Sequence, residues 1–289
     1  MSKLYVVPTP IGNLGDMTPR AVEILNNCDL VLAEDTRHTQ KLLNHFNIST
    51  KMISYHKFNE KKRSQEIIEE IINEEKIVAL VTDAGTPCIS DPGYQLIREA
   101  RENGIEVLGL AGASALVTAL SISGIEAYEF AFYGFLPRKK NELEKALRRV
   151  RENSVKTFIF YESPKRIINL VENIRLLMPN STLCVCKELT KIYEKAFYGK
   201  VDTVLEELKK HEDVEKGEYV VVGYNNDYEE KETTGYQVSL PAIIFDKLIQ
   251  KGYSLKEAVQ EVAEEGIATK NEAYKASLDI KKYIEKLDR

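Results

Sequence analysis

The sequence predicts an α/β protein that ends in a small helical module. Three observations carry this. Short apolar runs alternate with amphipathic stretches from Leu4 to Gly223. A capping residue followed by proline marks a helix start at Thr18-Pro19, Asp91-Pro92 and Ser163-Pro164. The polar, acidic stretch NNDYEEKETTG, residues 225–235, has no periodicity and reads as a linker, after which only helical patterns follow.

The first strand series is Leu4–Val7, Leu30–Ala33, Lys51–Tyr55, Ile77–Thr82 and Glu106–Leu110. These runs are apolar on both faces and each leads into a helix, which predicts a buried, largely parallel sheet. The second series is Phe130–Gly134, Thr157–Glu162, Thr182–Lys187, Ala196–Gly199 and Glu218–Gly223. Its last members are closer together, which predicts hairpins and a mixed sheet. In the tail, a helix is expected over 241–250. Ser254 with Glu257 and Thr269 with Glu272 form two capping boxes, and Gly266 breaks the chain between them. Leu255, Ala258, Val259 and Val262 share one expected face; Ala273, Ala276, Leu278 and Ile280 form the next. This is a helix-turn-helix layout, read either as a cap on the core or as an RNA-contacting module. Nine Lys/Arg balance nine Asp/Glu from Gln237 onward, with Lys270, Lys275, Lys281, Lys282 and Lys286 gathered toward the last helix.

Composition bounds the function. Hydrophobic residues make up 43% and charged residues 29%, a soluble globular profile. No apolar run reaches the ~18 residues of a membrane span. The N-terminal MSKLYVVPTP lacks a signal peptide's apolar length and cleavage site, so a cytoplasmic protein with no membrane partner is expected. Cys28, Cys88, Cys184 and Cys186 include no CxxC pair, and Cys184 and Cys186 are expected on opposite strand faces; free thiols and no metal site are expected. The net charge of −5 excludes a general nucleic-acid coat protein but leaves local basic patches. Lys61–Arg63, Arg138–Lys140 and Arg148–Arg151 are such patches or, alternatively, solvated helix faces.

Familiar catalytic signatures are absent: no GxGxxG, GxxxxGK[ST], HExxH or GxSxG occurs, and the four histidines are scattered. Instead, small-residue loops follow three strands: Pro8–Asp16, Thr82–Gly93 and Leu110–Ala115. Small residues let backbone groups approach a ligand closely. Loops at the carboxyl ends of strands in one sheet would line the same edge, where α/β proteins bind ligands.

The runs VPTPIGNLGDMT, AEDTR, TDAGTPCISDPGY, GASA, FYGFLPR, FYESPKR, CKELTK and KGEYVVVG occur in this order. In these runs, from about Leu4 to Gly223, the chain resembles the bacterial small-subunit ribosomal RNA (cytidine-2'-O-)-methyltransferases, a branch of the tetrapyrrole methylase superfamily. One departure is Ala111, where proline is usual. The resemblance implies two α/β domains, 1–115 and 116–225, with S-adenosylmethionine in the cleft between them, beside a helical module at 236–289. It implies cofactor contacts at Pro10 and Leu14 in the first loop, Gly85, Thr86 and Ile89 in the second, and Ser114 and Ala115 in the third. Tyr161, Leu189, Glu218 and Tyr219 complete the implied set. The implied substrate is ribosomal RNA in the small subunit, and the implied assembly is a homodimer.

The implied reaction moves a sulfonium methyl group in line onto a ribose 2'-hydroxyl. Glu34 and Asp35 are candidates to take the proton, and Arg37 to hold a phosphate. Lys187 and Glu188 are further catalytic candidates. In the competing structural reading, Asp35 caps the next helix and Arg37 pairs with it. Methylation of a small tetrapyrrole is the alternative enzymatic reading, and a non-catalytic binding protein on the same fold the other class.

Overall fold

The computed structural model of the chain describes residues 2–228 and 239–287. It places the first strand series in one parallel sheet. Strands β1 (Lys3–Val6), β2 (Leu30–Ala33), β3 (Met52–Ser54), β4 (Ile77–Leu80) and β5 (Glu106–Gly109) lie in the order β3-β2-β4-β1-β5. Helices α1 (Pro19–Asn27) and α2 (Thr36–His45) bury Leu25 and Leu43 on one face. Helices α3 (Glu60–Asn73) and α4 (Tyr94–Glu102) bury Ile67, Ile71 and Leu96 on the other. Strand runs that are apolar on both faces are what a doubly covered sheet requires.

The second series forms a mixed sheet, as expected. Strands β6 (Phe130–Phe135), β7 (Thr157–Glu162), β8 (Thr182–Lys187), β9 (Lys195–Lys200) and β10 (Tyr219–Tyr224) take the order β6-β7-β10-β8-β9. The β6/β7 pair is parallel and the other pairs are antiparallel. Helices α6 (Lys140–Arg151), α7 (Ile167–Leu177) and α8 (Val201–Lys210) cover one face through Leu147, Leu170 and Val204. Helix α5 (Ala115–Ile122) covers the other through Ala119 and Leu120, in a cluster that also holds Ile11 from the first loop. Both sheets belong to one compact unit, Met1–Tyr228.

Several local expectations are corrected. Cys184 and Cys186 lie on the same strand face with their sulfurs 3.8 Å apart, because a strand's period of two aligns i with i+2. Asp91-Pro92 does not start a helix: α4 begins at Tyr94. Its N-terminus is capped from α3, where Glu60 Oε1 accepts from the N–H groups of Gly93 (2.9 Å) and Gln95 (3.3 Å). Ser163-Pro164 opens a 3-10 turn, Pro164–Arg166, before α7, and the Ser163 side chain does not cap it. Thr18 does cap α1, accepting from Ala21 N–H at 3.1 Å. Asn225, expected in the linker, is buried and donates to the Arg151 carbonyl at 2.9 Å; residues 229–235 of that stretch lie outside the described residues.

The second unit, Glu229–Arg289, has a core of its own. Helices α9 (Leu240–Lys251), α10 (Leu255–Glu264) and α11 (Lys270–Leu287) bury Ile244, Ala258, Val262, Ala273 and Ile280 together. Both capping boxes form. Leu278, expected on the apolar face, is 42% exposed; the face runs through Ala273, Ser277 and Ile280, at the i, i+4, i+7 spacing of a buried stripe.

Candidate active site

The site follows from strand order. The chain leaves β1 toward β2 on one side and leaves neighbouring β4 toward β5 on the other, so a crevice opens at their carboxyl ends. The loops that emerge there are laced together. Thr9 and Gly85 exchange two backbone hydrogen bonds, both 2.9 Å. The buried Thr9 hydroxyl donates to the Thr82 carbonyl at 3.0 Å, and the Thr86 hydroxyl to the Ala113 carbonyl at 3.0 Å. The three small-residue loops are thus one fixed wall.

Against this wall lies a cavity of about 470 Å³, within the usual range for a small-molecule or cofactor site. The first sheet supplies Ile11, Glu34, Asp83, Gly85, Thr86 and Ile89, and the third loop supplies Ser114 and Ala115. The second sheet closes it with Phe135, Tyr161, Glu162, Leu189, Glu218 and Tyr219. Two apolar side chains enter on strained backbone. Ile89 is flanked by Cys88 (φ 71°) and Ser90 (φ 73°), and Leu189 by Glu188 (φ 53°) and Thr190 (φ 68°). Left-handed non-glycine residues are uncommon and cluster at functional sites.

Carboxylates gather at the first-sheet side. The Thr82 hydroxyl donates to Glu34 Oε2 at 2.8 Å, and Asp83 Oδ1 accepts from Asp35 N–H at 3.0 Å. Asp91 completes the group. Burial, then the Glu34 and Asp83 charges, push its carboxyl up to about 6. Glu162, opposite, is also raised by burial, against the pull of Ser163 N–H (2.7 Å) and Arg166 (3.3 Å). A cavity with an excess of carboxylate oxygens suits a cationic ligand.

The structure brings most of the sequence-predicted residues to this cavity. Gly85, Thr86, Ile89, Ser114, Ala115, Tyr161, Leu189, Glu218, Tyr219 and Glu34 line it. Pro10 and Leu14 lie in the first loop but outside the lining, where Ile11 takes the inward position. Asp35 caps α2 through Arg37 N–H (2.9 Å) and pairs with the Arg37 guanidinium, and neither residue is part of the cavity lining. Lys187 points to the opposite face of its sheet, where Nζ donates to the Asp213 carbonyl at 2.7 Å and lies 3.0 Å from His211 Nε2. Glu188 is a staple: Oε1 accepts from Glu218 N–H (2.9 Å) and Lys191 Nζ (2.8 Å). Gly217, at φ 86°, leaves room for that carboxylate, since a Cβ there would lie 2.6 Å from Glu188 Cγ.

Sequence reasoning passed over Asp83, Asp91, Phe135 and Glu162. The signal existed in part: Asp83 and Asp91 sit in the TDAGTPCISDPG run. An aspartate two residues before a glycine, as Asp83, or directly before a proline, as Asp91, reads as a turn or cap residue, and only the tertiary fold turns it inward.

The sequence matches the family described as Tetrapyrrole (Corrin/Porphyrin) Methylases over residues 3–213. Among similar proteins, the "Ribosomal RNA small subunit methyltransferase I" of Halalkalibacterium halodurans is 40% identical over 94% of this chain and 93% of its own. Proteins of the same description from Escherichia coli O157:H7 and Bacillus subtilis are each 39% identical over 96% of this chain, and 95% and 94% of their own. Among solved structures, diphthine synthase superposes with a TM-score of 0.57 at 18% identity, over 76% of this chain and 89% of its own. The methyltransferase CobJ does so with a TM-score of 0.57 at 17% identity, over 78% and 95%.

Proposed function

The chain belongs to the tetrapyrrole (corrin/porphyrin) methylase family and is a methyltransferase, and from that we propose that it methylates ribosomal RNA of the small subunit, with S-adenosylmethionine as donor and a cytidine ribose 2'-hydroxyl as acceptor. The observation that carries the reading at the site is the laced wall of three small-residue loops facing a carboxylate-rich cavity. The residues fit the donor. Backbone groups and small side chains at Gly85, Thr86, Ser114 and Ala115 would hold its polar ends, and Glu34, Asp83 and Asp91 suit a cation.

When bound, S-adenosylmethionine supplies an electrophilic methyl group on a sulfonium centre. The chain supplies the rest. Ile11, Ile89, Leu189 and Tyr161 shield the reacting atoms from water. Rigid loops align donor and acceptor, and alignment alone is worth ~7–11 kcal/mol. Asp91 takes the hydroxyl proton, since a base raised to about 6 works closer to neutral pH than an ordinary carboxylate. Asp83 is committed in part to holding the backbone at Asp35.

Among the described residues no helix is long and apolar enough to cross a membrane. Following the resemblance, we read the enzyme as a cytoplasmic homodimer. The test is transfer of labelled methyl from S-adenosylmethionine. Label should enter RNA of small subunits as an alkali-resistant 2'-O-methylcytidine. Label in a small tetrapyrrole, and none in RNA, overturns the reading.

A further inference from the structure

Phe135 stands where a strand residue would not be left by regular pleating. The β6/β7 register pairs Phe132 with Ile159 but Phe135 with Tyr161, so β6 carries one extra residue. The bulge includes Gly134 at φ 63°, a conformation that glycine adopts without strain, and a Cβ there would lie 3.1 Å from Ser90 Oγ of the second loop. Bulges re-aim the side chains that follow them. Here the result is a phenyl ring at the cavity wall that is 61% exposed, set edge-on to Tyr161 at 5.7 Å.

Basic residues flank this ring. Arg166 donates to the carbonyls of Leu136 (3.1 Å) and Pro137 (2.9 Å) while pairing with Glu162. That clasp holds the turn carrying Lys165 against the segment carrying Arg138, and Arg138 acts electrostatically on Glu162 in the cavity wall. Lys139 pairs with Glu142, whereas Arg138, Lys140 and Lys165 are exposed and make no salt bridge among the described residues. In a chain of net charge −5 this is a local surplus of positive charge beside an open aromatic ring.

We propose that this lip is the docking surface for a single-stranded stretch of RNA, with Phe135 stacked on an unpaired base and Arg138 and Lys165 on adjacent phosphates. The proposal rests on the ribosomal RNA reading and names where that substrate is gripped. An aromatic face takes any base, and cations spaced beside it follow a phosphodiester chain. An acidic peptide would use the cations but not the ring.

The test is fluorescence anisotropy with a labelled oligocytidylate RNA, titrated with KCl in the presence of S-adenosylmethionine. Arg138→Ala combined with Lys165→Ala should lower the slope of log K against log salt by roughly 1.4, about 0.7 per lost phosphate contact on a single strand. Phe135→Ala should weaken binding by about tenfold or more, and Phe135→Tyr should restore it. Lys61→Ala with Lys62→Ala removes the same charge elsewhere and should behave as the unaltered protein. Calorimetric affinity for S-adenosylmethionine should hold in the two charge-removing pairs, and the melting temperature should hold in every variant. The proposal is overturned if the unaltered protein binds no RNA at low salt, or if the lip variants match the control pair. It is also overturned if Phe135→Ala loses cofactor rather than RNA, or if a polyglutamate peptide competes as well as RNA. Methyl transfer to small subunits is scored separately, so RNA binding without transfer rejects the activity and keeps the surface.

Discussion

Ile89 and Leu189 reach the cavity from different sheets by the same device, each held between two non-glycine residues in the left-handed region. Alternating left-handed backbone lets a strand-end loop push one apolar side chain inward. The strain is greatest at Thr190, which is β-branched, has φ 68° and leaves its buried hydroxyl without a hydrogen-bond partner. Thr190→Gly should therefore raise thermal stability by ~1–2 kcal/mol. Leu189→Asp should abolish S-adenosylmethionine binding in calorimetry while the fold persists. A destabilised Thr190→Gly protein would show that the loop conformation is not strained.

Asp91 couples function to stability. Its carboxyl is raised in the folded state, so the folded protein binds the proton more tightly than the unfolded chain does. Stability is therefore highest below the unfolded value near 3.8 and falls as pH rises toward about 6. Asp91→Asn removes that cost and should stabilise the protein at pH 7 by ~1 kcal/mol, a figure discounted for partial exposure. The same change should cut methyl transfer by ~10²–10⁴-fold, and the unaltered enzyme's rate should rise with pH through about 6. A pH–rate profile flat across that range, or an active Asp91→Asn enzyme, removes Asp91 from the chemistry.

Arg37 and Asp35 separate an exposed ion pair from a helix cap. Arg37 Nε and Nη2 reach the two oxygens of Asp35 at 3.2 and 2.8 Å, with the arginine side chain 89% exposed. Arg37→Ala should leave the melting temperature unchanged, because exposed pairs contribute little. Asp35→Ala should lower it, since α2 loses its cap. If Arg37→Ala lowers methylation at constant stability and cofactor affinity, its guanidinium serves the RNA.

Lys187 is expected to be structural. Lys187→Met strands the Asp213 carbonyl and His211 Nε2 and should cost ~1–3 kcal/mol, with kcat for methyl transfer unchanged. His211 is held below its ordinary 6.5 by burial, then by Lys187 and Lys195. Its contribution to stability is present above pH 6.5 and is lost as pH falls below it. In the Lys187→Met protein, NMR titration should find the imidazole closer to its ordinary value.

The helical tail is a separable unit. Cutting the chain after Tyr228 should leave S-adenosylmethionine affinity and the main melting transition intact, because Met1–Tyr228 carries its own cores. If α11, with Lys270, Lys275 and Lys281, contacts RNA, the truncated protein should bind small subunits more weakly, most visibly at low salt. An unchanged apparent affinity would assign the tail a purely structural role.

The sequence by itself determined the elements and which strand-end loops gather at the cavity. Strands such as Leu30–Ala33 are apolar on both faces, so burial in a covered parallel sheet was legible from composition along the run. The three small-residue loops were legible because glycine, proline and threonine at strand ends report close backbone approach. The tertiary structure decided what periodicity cannot carry: which way a side chain leaves a loop. Asp91 reads as a helix cap, yet α4 is capped by Glu60, distant in sequence, and Asp91 is free to face Glu34 and Asp83. Lys187 and Glu188 read as further catalytic candidates, yet Lys187 ends its strand on the face away from the cavity, Glu188 follows in left-handed loop backbone, and each found a structural partner. Local patterns encode element and burial because these depend on neighbours along the chain. A cavity wall depends on neighbours across it, and those are fixed only when the sheets pack.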